Sequence, residues 1–242
     1  MGTGNASSIP PRLPDLSSTL CMLRRHAQSQ TRNLRCTFVC LSYRGYWTSR
    51  GRPNEKGIRL DAAAALEWIS RLHGESSGVE AQPETQPGQV ILWGQSIGAG
   101  VATNLAAEHA MPDNLRLNSL VLETAFTSIR AMLEVLYPQK WLPYKYLWPF
   151  LRNHLDSWAN LGIVSENYKN VTRRPRVLLL EAAKDELVPA KLSAELYERC
   201  CRLDIPVERV SVSGAFHNDT MFRAEGRRAV ASFVERQMLV SG

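Results

Sequence analysis

The hydrophobic positions along this chain switch repeatedly between two periods. Cys36–Leu41 is a short apolar run with aromatic and β-branched members and predicts a buried strand. Leu60, Ala64, Trp68 and Leu72 then recur at i, i+4 spacing after Pro53, which predicts a helix from about Lys56 to His73. Val90–Trp93 predicts a second strand that runs directly into Gly94 and a helix whose Ile97, Val101 and Leu105 share a face. Leu120–Leu122 and Val177–Leu180 predict a third and a fourth strand. The fourth precedes a helix from Pro189 to about Cys201, where proline at the first helical position loses no hydrogen bond. Val207–Val212 is more polar and predicts a fifth strand near an edge. Phe222, Gly226, Val230, Phe233 and Val234 mark the stripe of a final helix. This alternation is that of an α/β protein, a mostly parallel sheet with helices on both faces.

The length of 242 residues suits a single domain over 1–242. Glu75–Gly88 is polar and rich in proline and glycine, a surface loop, and the segment between the third and fourth strands fits neither period. An apolar share of 44% with 21% charged residues is that of a soluble globular chain. No apolar run is long enough to span a bilayer, and the polar, proline-rich Met1–Asp15 is no secretory signal. The net charge of +6 raises nucleic acid or an anionic membrane as partners. The basic residues are dispersed, however, and accompany no nucleic-acid module, so a solvated surface is the stronger reading and nucleic acid is not expected. Five cysteines without C-x-x-C pairs argue against a disulfide framework or a zinc site. Cys36 and Cys40 read as core thiols, and the compartment as reducing, so a soluble intracellular chain is expected. Oligomeric state is not legible.

The chemistry is carried by Gly94-Gln95-Ser96-Ile97-Gly98, a G-x-S-x-G placed between a predicted strand and a predicted helix. In the α/β-hydrolase fold such a sharp turn exposes a nucleophilic serine, and it sets that serine at a helix N-terminus, where the Ile97 backbone N–H is placed to stabilise an oxyanion. A serine needs a base and the base an orienting carboxylate, in the chain order Ser, acid, His. Asp185 follows the fourth strand and His217 the fifth, both at the strand ends where open α/β sheets bind ligands. Asp185 could instead be a helix cap, and Glu186 rivals it as the acid. His217 standing alone would be an ordinary loop histidine. His26, His73, His109 and His154 lie in or beside helical patterns with no partner at metal spacing, and no metal is expected.

Tyr43-Arg44-Gly45-Tyr46, the elbow Gly94–Gly98, Glu123-Thr124-Ala125-Phe126-Thr127-Ser128-Ile129, Asp185-Glu186-Leu187-Val188-Pro189 and His217-Asn218-Asp219-Thr220 together resemble the bud-emergence-type branch of the α/β-hydrolases. That branch is found in fungi and is related to membrane-associated abhydrolase-domain proteins. The resemblance covers nearly the whole chain from residue 4 and implies that Ser96, Asp185 and His217 act as a triad, in agreement with the residue-level reading. It also matches Thr3-Gly4-Asn5-Ala6-Ser7 to a His-Gly-Asn-Ala-Gly stretch, which makes Asn5 a second oxyanion donor. What precedes that stretch in the family, a membrane anchor and the first strands, has no counterpart here. The resemblance therefore implies an incomplete, N-terminally truncated domain that lacks a central strand.

Tyr137–Phe150 is aromatic and broken by Pro138, Pro143 and Pro149, so a cap is expected at about 137–160. Trp141 and Trp148 in it, with Phe126, are candidates to line an acyl pocket or to touch a membrane, and packing for stability is an equal alternative. The expected reaction is acyl transfer to water from lipid esters or protein-bound acyl thioesters, with no cofactor. The alternative is an inert hydrolase-fold chain that acts through binding.

Overall fold

Four strands, β1 (Gly88–Gln95), β2 (Leu115–Glu123), β3 (Arg176–Ala182) and β4 (Val207–Val212), form one parallel sheet in the order β1-β2-β3-β4. The computed structural model describes residues 9–29, 36–76, 87–136 and 154–239. The helices among them are α1 (Leu13–Ser29), α2 (Glu55–Ser76), α3 (Ile97–Glu108), α4 (Ile129–Leu136), α5 (Ser157–Asn167), α6 (Ala190–Arg202) and α7 (Ala224–Leu239). No described helix is long and apolar enough to cross a membrane.

β2 and β3 are central and buried along both faces, which their near-continuous leucine and valine content requires. Because strand side chains alternate, Leu120, Leu122, Val177 and Leu179 turn to one face, against Ala102 of α3, Leu161 of α5 and Leu196 of α6. Val121, Leu178, Leu180 and Val212 turn to the other, against Leu16 and Leu23 of α1 and Val230 and Phe233 of α7. Each such side chain contributes about 1.5–3 kcal/mol when fully buried. Helix α2 sits against α3 through Ile58, Ala62 and Leu66. This is the parallel α/β arrangement, with helices on both faces, that the alternation of periods predicts, and Val207–Val212 lies at the edge that its polarity predicts.

The segment Cys36–Leu41 differs from expectation, for it carries only an isolated bridge at Leu41. Its side chains still alternate. Phe38 meets Trp93 edge-on at 6.1 Å, Cys40 joins the α1–α7 side, and Leu41 joins the α2 side. A strand exists only where a neighbour exchanges ladder bonds with it, and the sheet of the described residues ends at β1. Cys36 and Cys40 are accordingly half-buried rather than core thiols. The buried thiol is Cys200, which burial pushes up to about 12. Pro189 is the residue before α6 rather than its first. Helix α2 runs on to Ser76, into the expected loop, while residues 77–86 lie outside the described ones. Helices α1, α4 and α5 have no counterpart in the sequence periodicity. The buried stripe of α1 runs through the polar Thr19, which blurs its pattern.

Candidate active site

Strand β1 ends at Gln95 and α3 begins at Ile97, leaving Ser96 alone on the turn with φ 52° and ψ −116°. A non-glycine residue held at such a φ costs about 1–3 kcal/mol and persists only where its surroundings enforce it. Here the Ser96 N–H donates to the Glu123 carbonyl of β2 at 2.8 Å, and the Ser96 carbonyl accepts from the Ala99 N–H at 2.9 Å. The turn is tight enough that a Cβ on Gly94 would stand 2.0 Å from the Gly98 oxygen, so only glycine fits there. The Ile97 N–H opens α3, where a helix leaves its leading donors without partners one turn back and its dipole favours negative charge.

The turns after β3 and β4 are laced together. Lys184 N–H donates to Ala215 O at 2.8 Å and Ala183 N–H to Val212 O at 3.1 Å. This brings both carboxylate oxygens of Asp185 to 3.0 Å from Nδ1 of His217, with the two side chains 8% and 5% exposed. Asp185 Oδ1 also accepts the N–H groups of Leu187 and Val188, at 2.9 and 2.7 Å, so the carboxylate itself is held. An acceptor at Nδ1 keeps the imidazole proton there and leaves Nε2 free to take one up. Glu186 does something else: its carboxylate accepts the backbone N–H of His217 at 3.0 Å. Leu187 and Phe216, next to these residues, are 43% and 49% exposed and put an apolar rim beside the pair.

Although β1 and β4 lie at opposite edges of the sheet, the turn after β4 reaches back to the elbow. Gln95 Nε2 donates to the His217 carbonyl at 3.1 Å. Three residues on, the Thr220 hydroxyl donates to the buried Glu123 carboxylate, which also accepts from Arg12 Nη1 at 3.3 Å and Trp93 Nε1 at 3.4 Å. Nearby, burial raises the Asp15 carboxyl above its ordinary value, while Arg227, bonded to it at 3.1 Å, and Arg12 pull it the other way.

The structure thus brings Asp185, His217 and the Ser96 elbow to one end of the sheet. Asn5, Trp141 and Trp148 lie outside the described residues, as does 137–153 of the expected cap. The end of that cap range, Ser157–Asn160, is the first turn of α5, and Ser157 is buried against Thr103 of α3. Phe126 is buried in a cluster with Val188 and Leu192, and Ile97 packs against that group. Sequence reasoning assigned no role to Gln95, Glu123 or Thr220. Their only signal is that they stand inside the stretches quoted for the family resemblance. Among the described residues no three His, Cys, Asp or Glu side chains cluster so as to hold a metal ion.

No protein-family model matches the chain. It is 33% identical over 181 residues to an uncharacterized protein of Mycobacterium tuberculosis, covering 75% of this chain and 53% of the relative. It is 28% identical over 194 residues to protein bem46 of Schizosaccharomyces pombe, covering 80% and 56%. Against the lysophosphatidylserine lipase ABHD12 of Macaca fascicularis the identity is 33% over 163 residues, covering 66% and 36%. The chain therefore spans about half the length, or less, of these relatives, which come from a bacterium, a yeast and an animal and single out no kingdom. Among solved structures, the Pyrococcus furiosus esterase Pf2001 superposes with a TM-score of 0.57 at 20% identity, covering 98% of this chain and 80% of that one. That likeness concerns the fold.

Proposed function

From an α/β-hydrolase fold with homologues among the bem46 and ABHD12 proteins, we propose that this chain is a serine hydrolase of carboxylic esters or acyl thioesters. The observation that carries this reading is the buried Asp185–His217 pair, tied to the side chain of Gln95, the residue that precedes a strained serine at a helix N-terminus. In the proposed reaction His217 Nε2 takes the Ser96 hydroxyl proton as Oγ bonds to the acyl carbon. The resulting oxyanion is held by the Ile97 N–H and by a donor from Asn5. Collapse breaks the bond to the alcohol or thiol, which leaves with the proton from His217. Water then repeats the sequence on the acyl-enzyme, releasing the acid and restoring Ser96. No cofactor enters this route.

The lipase name of one relative and the apolar rim of Leu187 and Phe216 support an acyl chain of lipid type in the substrate. Exposed Phe222, further along the chain after β4, suits peripheral contact with a lipid surface. Five unpaired cysteines are in keeping with a reducing, intracellular compartment. The test is labelling with a fluorophosphonate, together with hydrolysis of short p-nitrophenyl esters. Wild type should take the label and turn over, and Ser96→Ala should do neither. Activity that survives Ser96→Ala overturns the mechanism. A folded wild type that takes no label would make the chain an inert hydrolase fold that acts through binding.

A further inference from the structure

Glu123, at the end of β2, has no exposure to solvent and takes no part in the chemistry above. Burying a carboxylate costs several kcal/mol, and a buried ion pair is often no more stabilising than an apolar pair of the same volume. Stability is therefore a weak reason for this group, and what it touches is a better one. Each donor to it comes from a different segment. Trp93 stands three residues before Ser96, Thr220 three residues after His217, and Arg12 at the entry to α1. Its register partner on the neighbouring strand is Gln95, also fully buried, which donates to the carbonyl of His217. Register partners in a parallel sheet share a face, so the two side chains stand side by side and grip the β4 turn at residues 217 and 220. Helix α7 closes on the same turn. A Cβ on Gly226 would stand 2.1 Å from the Thr220 carbonyl oxygen, so only glycine allows this approach.

We infer that Glu123 and Gln95 are positioning residues that hold the His217 turn against the Ser96 elbow, with Thr220 as the point of attachment. This rests on the serine-hydrolase reading. Asp185 orients the imidazole from one side, while the two-point grip sets how far the ring stands from the serine. A displacement of about 1 Å in such a group costs on the order of 10²-fold in rate.

The experiment compares the full chain with Thr220→Val, Thr220→Ser and Gln95→Met, following kcat and KM on a p-nitrophenyl ester, the rate of fluorophosphonate labelling and a thermal melt. Thr220→Val should lose about 10²-fold in kcat with KM unchanged, because no substrate contact is altered. Thr220→Ser keeps the hydroxyl and should restore turnover. Gln95→Met should lose kcat in the same way with little change in melting, since it also removes Gln95 Oε1, a buried oxygen with no partner among the described residues. Thr220→Val and Gln95→Met proteins that melt cooperatively and turn over at the wild-type rate overturn the inference. Loss of the cooperative melt in both would assign these contacts to stability and overturn it as well. Should Thr220→Val alone fail to fold, Gln95→Met carries the test. A wild type that takes no label defeats the hydrolase reading. A labelled wild type beside unaffected variants defeats only this inference.

Discussion

Asp185→Asn separates the role of this carboxylate from that of its neighbour. In the wild type, Oδ1 accepts two backbone N–H groups, from Leu187 and Val188, and both oxygens face Nδ1 of His217. An asparagine that keeps its oxygen on the two backbone donors must turn its NH₂ toward Nδ1. The ring nitrogen then becomes an acceptor, the proton moves to Nε2, and the base can no longer take the Ser96 proton. Turnover should fall by about 10⁴-fold, the loss seen when a triad acid becomes an amide, and at about 1.4 kcal/mol per tenfold that is about 5 kcal/mol of barrier. The fold should hardly notice, because both backbone donors stay satisfied. At Glu186 the partner is a backbone N–H, which the oxygen of a glutamine accepts as well, so Glu186→Gln should stay within a few-fold of wild type. Steady-state kinetics on a p-nitrophenyl ester, with thermal melts as controls, decide it. An Asp185→Asn enzyme within tenfold of wild type, or a Glu186→Gln enzyme that is the poorer of the two, would refute the assignment of the acid.

Two further predictions concern the frame of the site. Gly94→Ala forces a methyl carbon to 2.0 Å from the Gly98 oxygen, where only backbone can yield, so stability should drop by about 3 kcal/mol and fluorophosphonate labelling should be lost with it. A melting temperature within a degree of wild type would contradict that packing. Asp61 on α2 accepts from the backbone and guanidinium of Arg44, at 2.7–3.1 Å. Burial pushes its carboxyl up, but these bonds outweigh burial and leave it below its ordinary value. A lowered folded value means stability that is present above the unfolded carboxylate range and lost as pH falls through the folded value. Asp61→Asn should therefore cost about 1 kcal/mol at pH 7, the pair being partly exposed, and the gap to wild type should close as pH falls below the ordinary carboxylate range. Denaturant melts across that range check it, and a gap that widens on acidification would contradict the pairing.

The sequence by itself determined what local pattern can carry. The strands from residue 88 onward follow from their apolar runs, and α3 and α7 from their stripes, because the two periods differ and each run is long enough to show one. Ser96 was legible because the glycines that its turn requires lie within two residues of it. Asp185 and His217 were legible as candidates because each closes a strand. Between Asp185 and Glu186 the residue pattern alone left both open, and only the family resemblance favoured Asp185. Both are carboxylates on one turn, and only the lacing of that turn to the one after β4 sends one to the ring and the other to the backbone. Nor was the grip on His217 legible, since Gln95 and Glu123 find their partners 122 and 97 residues away. Cys36–Leu41 makes the same point in reverse. Its apolar alternation is that of a strand, but ladder bonds belong to pairs of segments, and among the described residues it carries only an isolated bridge at Leu41. Propensity and periodicity are properties of a segment. Register, burial of charge and the meeting of distant side chains are properties of the packed chain, and only the tertiary structure decided those.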